Sequence, residues 1–218
     1  MTLSEENYLK AIFHLEEEFA EEVSTNAIAE EMSTKASSAT DMIKRLSGKG
    51  LLDYVPYQGV RLTDKGKQYA IEIIRKHRLW EYFLVEKLGF SWDEVHDIAE
   101  QLEHIKSEKL TNKLEEYLGY PKVDPHGDII PDRYGNFDQI EQVLLKDCLP
   151  ESRGIFTGVA DSSKSFLQYL DNQKISLGDA ITVISREEFD ESYVIAVNGI
   201  EKRISKKIAQ NLYLRLWP

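Results

Sequence analysis

The sequence predicts a mainly α-helical chain with a small β domain: a winged helix-turn-helix, then a helical region, then a C-terminal β-barrel, within 218 residues. Three observations predict it. Apolar residues recur at helical spacing through most of the first 119 positions. The run "LLDYVPYQGVRLT" interrupts that pattern with two short β-prone stretches around a turn. After the Pro/Gly/Asp-rich connector "YPKVDPHGDIIPDRYGNF", Tyr120 to Phe137, the period changes from helical to alternating.

Taken in order, "SEENYLKAIFHLEEE" places Tyr8, Leu9, Ile12, Phe13 and Leu15 at helical spacing, with Ser4 as its expected N-cap. "STNAIAEEM" reads as a short helix capped by Ser24 or Thr25. "KASSATDMIKRLSGKG" forms the next helix, turning Ala39, Met42, Ile43 and Leu46 inward and ending at Gly48 or Gly50. The hairpin follows, its strands joined by a Pro-Tyr-Gln-Gly turn. This order is that of a winged helix-turn-helix, in which the second helix of the motif enters the major groove and the hairpin lies along the backbone.

"DKGKQYAIEIIRKHRLWEYFLVEKLG" is a long amphipathic helix ending at Gly89, with Tyr69, Ile73, Leu79, Tyr82 and Phe83 among its apolar positions. "SWDEVHDIAEQLEHIKS" is expected to be helical from a capping box of Ser91 and Glu94. "EKLTNKLEEYLG" ends at Gly119. These helices carry more apolar surface than one small domain buries, which implies a homodimer interface. Beyond the connector, "GIFTGVAD", "DAITVIS", "SYVIAVN" and "NLYLRL" read as strands of a small, partly open barrel, with a helix at "SKSFLQYLDNQ". The expected divisions are residues 1–65 for the DNA-binding domain, 66–137 for a helical dimerisation and metal-binding domain with its connector, and 138–218 for a linker helix and the β domain. No repeat or low-complexity tract interrupts them.

Composition narrows the function. The chain has no run of about 18 apolar residues and its N-terminus "MTLSEENYLK" lacks a basic-then-apolar leader pattern, so a cytoplasmic protein with no membrane partner is expected. One cysteine, Cys148, excludes an intrachain disulfide and a Cys-based zinc module. The formal net charge of -11 opposes nucleic-acid binding on average, yet Thr34 to Arg78 holds ten basic residues against four acidic ones. Within that segment Lys35, Ser37, Ser38, Thr40 and Asp41 open the second helix of the motif, Lys44 and Arg45 follow one turn later, and Arg61 sits on the hairpin. Short hydrogen-bonding side chains at a helix N-terminus suit phosphates and base edges, and these eight residues are the expected contacts to duplex DNA.

The stretch "VHDIAEQLEH" carries a second chemistry. His96, Glu100, Glu103 and His104 fall at i, i+4, i+7 and i+8, one stripe of a helix, beside the apolar stripe of Val95, Ala99, Leu102 and Ile105. His77 and Glu81 share a face of the preceding helix. Of the five histidines, only His14 stands apart from carboxylates; His126 lies in the connector. Histidines and carboxylates grouped on the border of a buried face are expected to bind a divalent metal. An enzyme is not expected: "EQLEH" has Glu100 where an H-x-x-E-H motif needs histidine, and no H-E-x-x-H or nucleophile elbow is present.

"EENYLKAI", "RKHRLWEYFLVEKLG", "VHDIAEQLEH" and "DPHGDIIP" together resemble the diphtheria toxin repressor family of metal-dependent transcriptional repressors, and its manganese-responsive branch more closely. The resemblance covers essentially the whole chain, and in it the β domain is similar to the SH3-like (FeoA-like) domain of longer members. It implies a homodimer that binds double-stranded operator DNA and represses metal-uptake genes, with a divalent metal as corepressor. Carried over residue by residue, it implies a regulatory site of His77, Glu100, Glu103 and His104 with Asn7, and a second site of Glu81, Asp124, His126 and Asp161; His96 belongs to either or orients a neighbour. Glu100 stands where iron-responsive members have cysteine, which favours Mn(II), with Fe(II) and Zn(II) as the other ions such donors admit. Asn7 stands where the manganese branch has aspartate and the iron branch methionine. Lys10 stands where some relatives have a second carboxylate. An ion shared by Asn7 and the later ligands would fasten the DNA-binding domain to the dimerisation helices. The alternative is a metal-independent winged-helix regulator whose β domain senses another ligand.

Overall fold

The computed structural model describes residues 1–19, 22–55 and 59–217, with only the backbone of the last residue in the first helix. The chain packs as two compact units. One comprises Met1–His77, Glu100–Lys113 and Pro131–Asn136; the other comprises Arg78–Ala99, Leu114–Ile130 and Phe137–Pro218. These units run across the divisions at residues 65 and 137 expected above, because the long helices contribute residues to both.

In the first unit, α1 (Leu3–Phe19) is capped by Thr2 and not by Ser4. Thr2 Oγ1 accepts from Glu5 N, and Thr2 N donates to the Glu5 carboxylate at 3.0 Å, a reciprocal capping box two residues earlier than expected. The apolar face of α1, Tyr8, Leu9, Ile12, Phe13 and Leu15, is buried as its spacing requires. α2 (Thr25–Glu31) begins at Ser24, whose hydroxyl accepts from Ala27 N. α3 (Ala36–Gly48) buries Ala39, Ile43 and Leu46 and leaves its other faces outward; Met42 is half-buried. β1 (Leu52–Val55) and β2 (Gly59–Leu62) form the antiparallel wing, and Val23 bridges Val60 from the chain before α2. The expected Pro-Tyr-Gln-Gly turn falls on 56–59, of which 56–58 lie outside the described residues.

α4 (Asp64–Leu88), α5 (Val95–Leu102) and α6 (Glu108–Tyr117) follow. Gly89 and Gly119 end α4 and α6 with positive φ, the left-handed conformation that glycine adopts without steric cost. α5 is shorter than the expected helix. Ser91 and Glu94 do hydrogen-bond through their side chains, but in a turn ahead of Val95, and Glu103 and His104 lie in the turn that follows Leu102.

The second unit has two cores. Leu79, Leu114, Leu118 and Ile130 form the smaller, with Trp80, Tyr82 and Phe83 against it. The larger fills the β domain, a six-stranded antiparallel sheet in the order β3-β8-β4-β5-β6-β7. Its strands are β3 (Val143–Leu144), β4 (Arg153–Val159), β5 (Ala180–Arg186), β6 (Tyr193–Val197), β7 (Ile200–Ile204) and β8 (Leu212–Leu216). β3 and β7 were not expected. No helix links residues 138–142; the expected linker helix is replaced by β3 and one 3₁₀ turn at Leu145–Asp147. The helix at "SKSFLQYLDNQ" is α7 (Lys164–Gln173), inserted between β4 and β5, and a short α8 (Lys206–Ala209) precedes β8. Among the described residues no helix is long and apolar enough to cross a membrane.

The connector is anchored to β4. Val123 and Ile129 bridge across a tight turn, and Val159 N donates to His126 O at 2.9 Å. Gly127 sits at the turn with φ +89, and a Cβ there would collide with Thr157 O and Gly158 Cα. Gly127→Ala therefore combines left-handed strain with a backbone clash. It should destabilise the chain by about 2–4 kcal/mol, read as a lower denaturant midpoint; a midpoint equal to that of the parent would mean the connector does not need this approach.

Candidate functional site

Three groups of side chains answer to the sequence expectations. On α3, Lys35, Ser37, Ser38, Asp41 and Lys44 are exposed along the helix start and its outward face. Thr40 is half-buried and its hydroxyl donates back to Ala36 O, so it is the least available of the set. Arg45 is exposed but held: its Nε lies 2.8 Å from the Glu5 carboxylate, which Lys49 Nζ reaches at 2.7 Å. Glu5 has no exposed surface. The hydrogen bond from Lys49, with that from Thr2 N, holds its carboxyl below the usual range against the effect of burial. Arg61 lies 3.8 Å from Glu22 on the wing.

The first His/carboxylate cluster lies wholly in the first unit. α4 brings His77, the last turn of α5 brings Glu100, the turn after it brings Glu103 and His104, and α1 brings Glu6 and Lys10. Glu103 is completely buried. His77 Nδ1 approaches its Oε2 at 2.5 Å, and Lys10 Nζ donates to both of its oxygens at 2.9 Å and also to Glu100. Burial alone would raise the Glu103 carboxyl; the hydrogen bond from His77 and the charge of Lys10 outweigh it and leave the group below its ordinary value. His104 Nδ1 pairs with Glu6 Oε2 at 2.6 Å, so its Nε2 stands toward Glu103, 3.8 Å from Oε1. Glu100, Glu103 and His104 offer one donor atom each within 4.8 Å of one another. The buried Asn7 Oδ1 accepts no hydrogen bond among the described residues.

The second cluster lies in the second unit. Glu81, Asp124 and His126, all buried, place one donor atom each within 4.8 Å. Asp124 Oδ1 accepts from the backbone N–H groups of His126 and Asp128 at 2.8 and 3.0 Å. His126 Nε2 lies 2.8 Å from Trp92 O, and a carbonyl can only accept, so Nε2 carries hydrogen and Nδ1 is the atom left for another partner. Nδ1 stands 3.4 Å from Glu81 Oε2, and His96 Nδ1 stands 3.4 Å from Glu81 Oε1. His96 is thus at the rim of this second cluster, and its side chain is 58% exposed. Asp161 stands outside it: its Oδ1 accepts from Ser163 N. Burial, then the charges of Asp128 and Glu81, push the Asp124 carboxyl up to about 8. For His126 burial favours the neutral ring, but hydrogen bonding and charge from Glu81 together with Asp124 lift it to about 9.

Three contributors escaped the sequence reading. Glu5 and Glu6 were visible only as an acidic pair at a helix start. Trp92 supplies the carbonyl to His126, stacks on its ring at 6.4 Å, and donates Nε1–H to both oxygens of Asp171.

Comparison with known proteins extends over the same elements. Residues 1–60 match the family "Iron dependent repressor, N-terminal DNA binding domain", residues 63–132 match "Iron dependent repressor, metal binding and dimerisation domain", and residues 143–216 match "FeoA domain". The iron-dependent repressor IdeR of Mycobacterium tuberculosis is 36% identical over 126 residues, 58% of this chain and 54% of that protein. The match thus spans about half the length of such curated relatives. A solved manganese-dependent transcriptional repressor in complex with manganese is 35% identical, covers 98% of this chain and 100% of its own, and superposes with a TM-score of 0.86. The structure of ScaR with bound Zn2+ is 32% identical, covers 97% and 98% of the two chains, and gives 0.76.

The second cluster has a testable electrostatic signature. Asp124 and His126 bind protons more tightly than ordinary side chains, and a metal ion requires both unprotonated. Affinity for a divalent ion at Glu81, Asp124 and His126 should therefore rise with pH from about 7 to about 9, by up to about tenfold per pH unit for each proton displaced. Calorimetry in two buffers of different ionisation enthalpy should show protons released at neutral pH; binding without proton release would contradict the assignment.

Proposed function

The chain belongs to the iron-dependent repressor family, and from that premise we propose that it is a homodimeric repressor with Mn(II) as corepressor, binding double-stranded operator DNA of metal-uptake genes in the cytoplasm. The observation that carries this reading is the convergence of α1 on the first cluster. Glu6 pairs with His104 and Lys10 with Glu100 and Glu103, while Glu5 of the same helix holds Arg45 of α3. One helix thus touches both the ligand set and the recognition helix.

The donor chemistry fits a divalent ion. Among the described residues Asn7 Oδ1 is a buried acceptor without a donor, an arrangement that costs about 1–3 kcal/mol when nothing fills it. Imidazole and carboxylate oxygen without thiolate suit Mn(II); Fe(II) and Zn(II) are the alternatives, and Cys148 is buried in the β-domain core. When bound, the ion supplies positive charge to carboxylates that otherwise repel one another. His77, Glu100, Glu103 and His104 would hold it at the first cluster with Asn7; Glu81, Asp124 and His126 would hold it at the second, with His96 at the rim and without Asp161.

The chain's own residues do the rest. Glu6 fixes the His104 ring so that Nε2 is presented, and Trp92 O does the same for Nδ1 of His126. Through a bound ion Asn7 would tie α1 to the ligand set, and the capping-box carboxylate Glu5 carries the position of α1 to α3. Metal and operator then favour each other reciprocally, with a coupling of about 1–3 kcal/mol, or about 5- to 150-fold in operator affinity. Dimerisation has apolar side chains available: Leu88, Phe90 and Tyr117 are exposed at the ends of α4 and α6. A dimer lets two recognition helices meet two half-sites.

Retardation of the protein's own upstream DNA with Mn(II) and with chelator tests the reading. Binding should be tighter with Mn(II); equal affinity would favour a metal-independent winged-helix regulator. Lys44→Ala should weaken specific and random duplex alike and lower the salt slope by about 0.9, the value for one lost phosphate contact. A loss confined to one base position would instead make Lys44 a reader of sequence.

A further inference from the structure

We infer that the Lys10 ammonium is a built-in competitor for the divalent ion at the Glu100/Glu103 pair, a stand-in cation that raises the ion concentration at which the first cluster fills. The inference rests on the proposed metal-dependent reading and concerns what this chain adds to it.

Position and burial carry the argument. Lys10 lies one turn beyond Asn7 on α1, and its side chain is 14% exposed. Its Nζ contacts Glu100 Oε1 and both oxygens of Glu103, while His77 Nδ1 takes Glu103 Oε2 from another direction. Every oxygen of the buried carboxylate is engaged before an ion arrives. An ion bound by Glu103 would share those oxygens with a positive charge about one hydrogen-bond length away, and two cations at that range in a poorly hydrated site repel strongly. The lysine stem has four methylenes, so the ammonium can withdraw toward solvent while α1 stays in place. Exchange between ammonium and ion is therefore reversible and needs no refolding.

The same contacts give Lys10 a second effect. Without an ion, Glu103 has to be compensated by something, and Lys10 with His77 does so. Removing the ammonium should thus weaken the ion-free protein and strengthen its affinity for the ion, opposite signs that a merely structural lysine would not give.

The test uses full-length protein carrying His126→Ala, which removes a ligand of the second cluster, and compares Lys10 with Lys10→Met and Lys10→Arg. Bound Mn(II) is counted from the loss of the free-ion EPR signal, and thermal unfolding is followed with and without Mn(II). Lys10→Met should bind Mn(II) at least about tenfold more tightly, melt earlier without the ion and recover its melting temperature with it; Lys10→Arg should resemble the lysine protein. Lys10→Gln repeats the measurement if the methionine variant does not fold. Equal or weaker Mn(II) affinity in the neutral variants overturns the inference while leaving the metal-dependent reading intact. No Mn(II) bound by any of these chains, nor by the chain with His126 restored, overturns both.

Discussion

Glu103 is a carboxylate with no contact with water, and the first unit is arranged around that fact. An ionised carboxylate in such a place costs several kcal/mol unless cations and hydrogen-bond donors surround it. Here they come from separate elements: His77 from α4 and Lys10 from α1, both onto a residue in the turn after α5. These elements cannot part without exposing an uncompensated charge. α1 repeats the device on its other side, where buried Glu5 collects Arg45 and Lys49 from the end of α3. A short acidic stretch of one helix therefore sets two positions at once, that of the recognition helix and that of the ligand set.

The second unit solves the same problem differently. Burial and the charges of Asp128 and Glu81 keep a proton on Asp124, while its Oδ1 accepts from the N–H groups of His126 and Asp128 in the turn that its own side chain closes. Arg78 Nε stands farther off, at 3.8 Å. Backbone donors do not leave, whereas a lysine does. The turn itself depends on Gly127, since only glycine lets it lie against Thr157 and Gly158 of β4. The two clusters thus differ in what an arriving ion must displace: an ammonium in the first, protons held by Asp124 and His126 in the second.

Much of this was legible in the sequence, for reasons that also explain what was not. Strong helical periodicity gave α1, α3, α4 and α6, and alternating apolar runs gave β4, β5, β6 and β8. β7 has no alternating apolar pattern, since "IEKRI" is charged through its middle, although the Asn198-Gly199 pair before it, with φ of 49° and 83°, is a strong two-residue hairpin signal. β3, two residues long, has no period to read. The stripe His96, Glu100, Glu103 and His104 assumed one continuous helix. α5 stops at Leu102, which turns Glu103 and His104 toward α1, while His96 stands beside Glu81. Glu6 and Trp92 act through contacts 98 and 34 positions away in the chain, and local pattern carries no trace of such pairs.

Asn7 and Lys10 are best understood together. They are three positions apart on α1, hence on one face, and both stand where the family resemblance implies a carboxylate in some members. In formal charge Glu100, Glu103 and Lys10, which touch one another, sum to one negative. A carboxylate at position 7 would make it two, and would give Lys10 another partner in competition with Glu103. A carboxamide adds an oxygen donor without that charge. The neutral Asn7 oxygen, buried and without a hydrogen bond among the described residues, keeps a donor that an ion can use and leaves the charge balance to Lys10. Restoring the carboxylate alone would strengthen the hold on the ammonium as well as on the ion, so the two substitutions are coupled and neither can be read without the other.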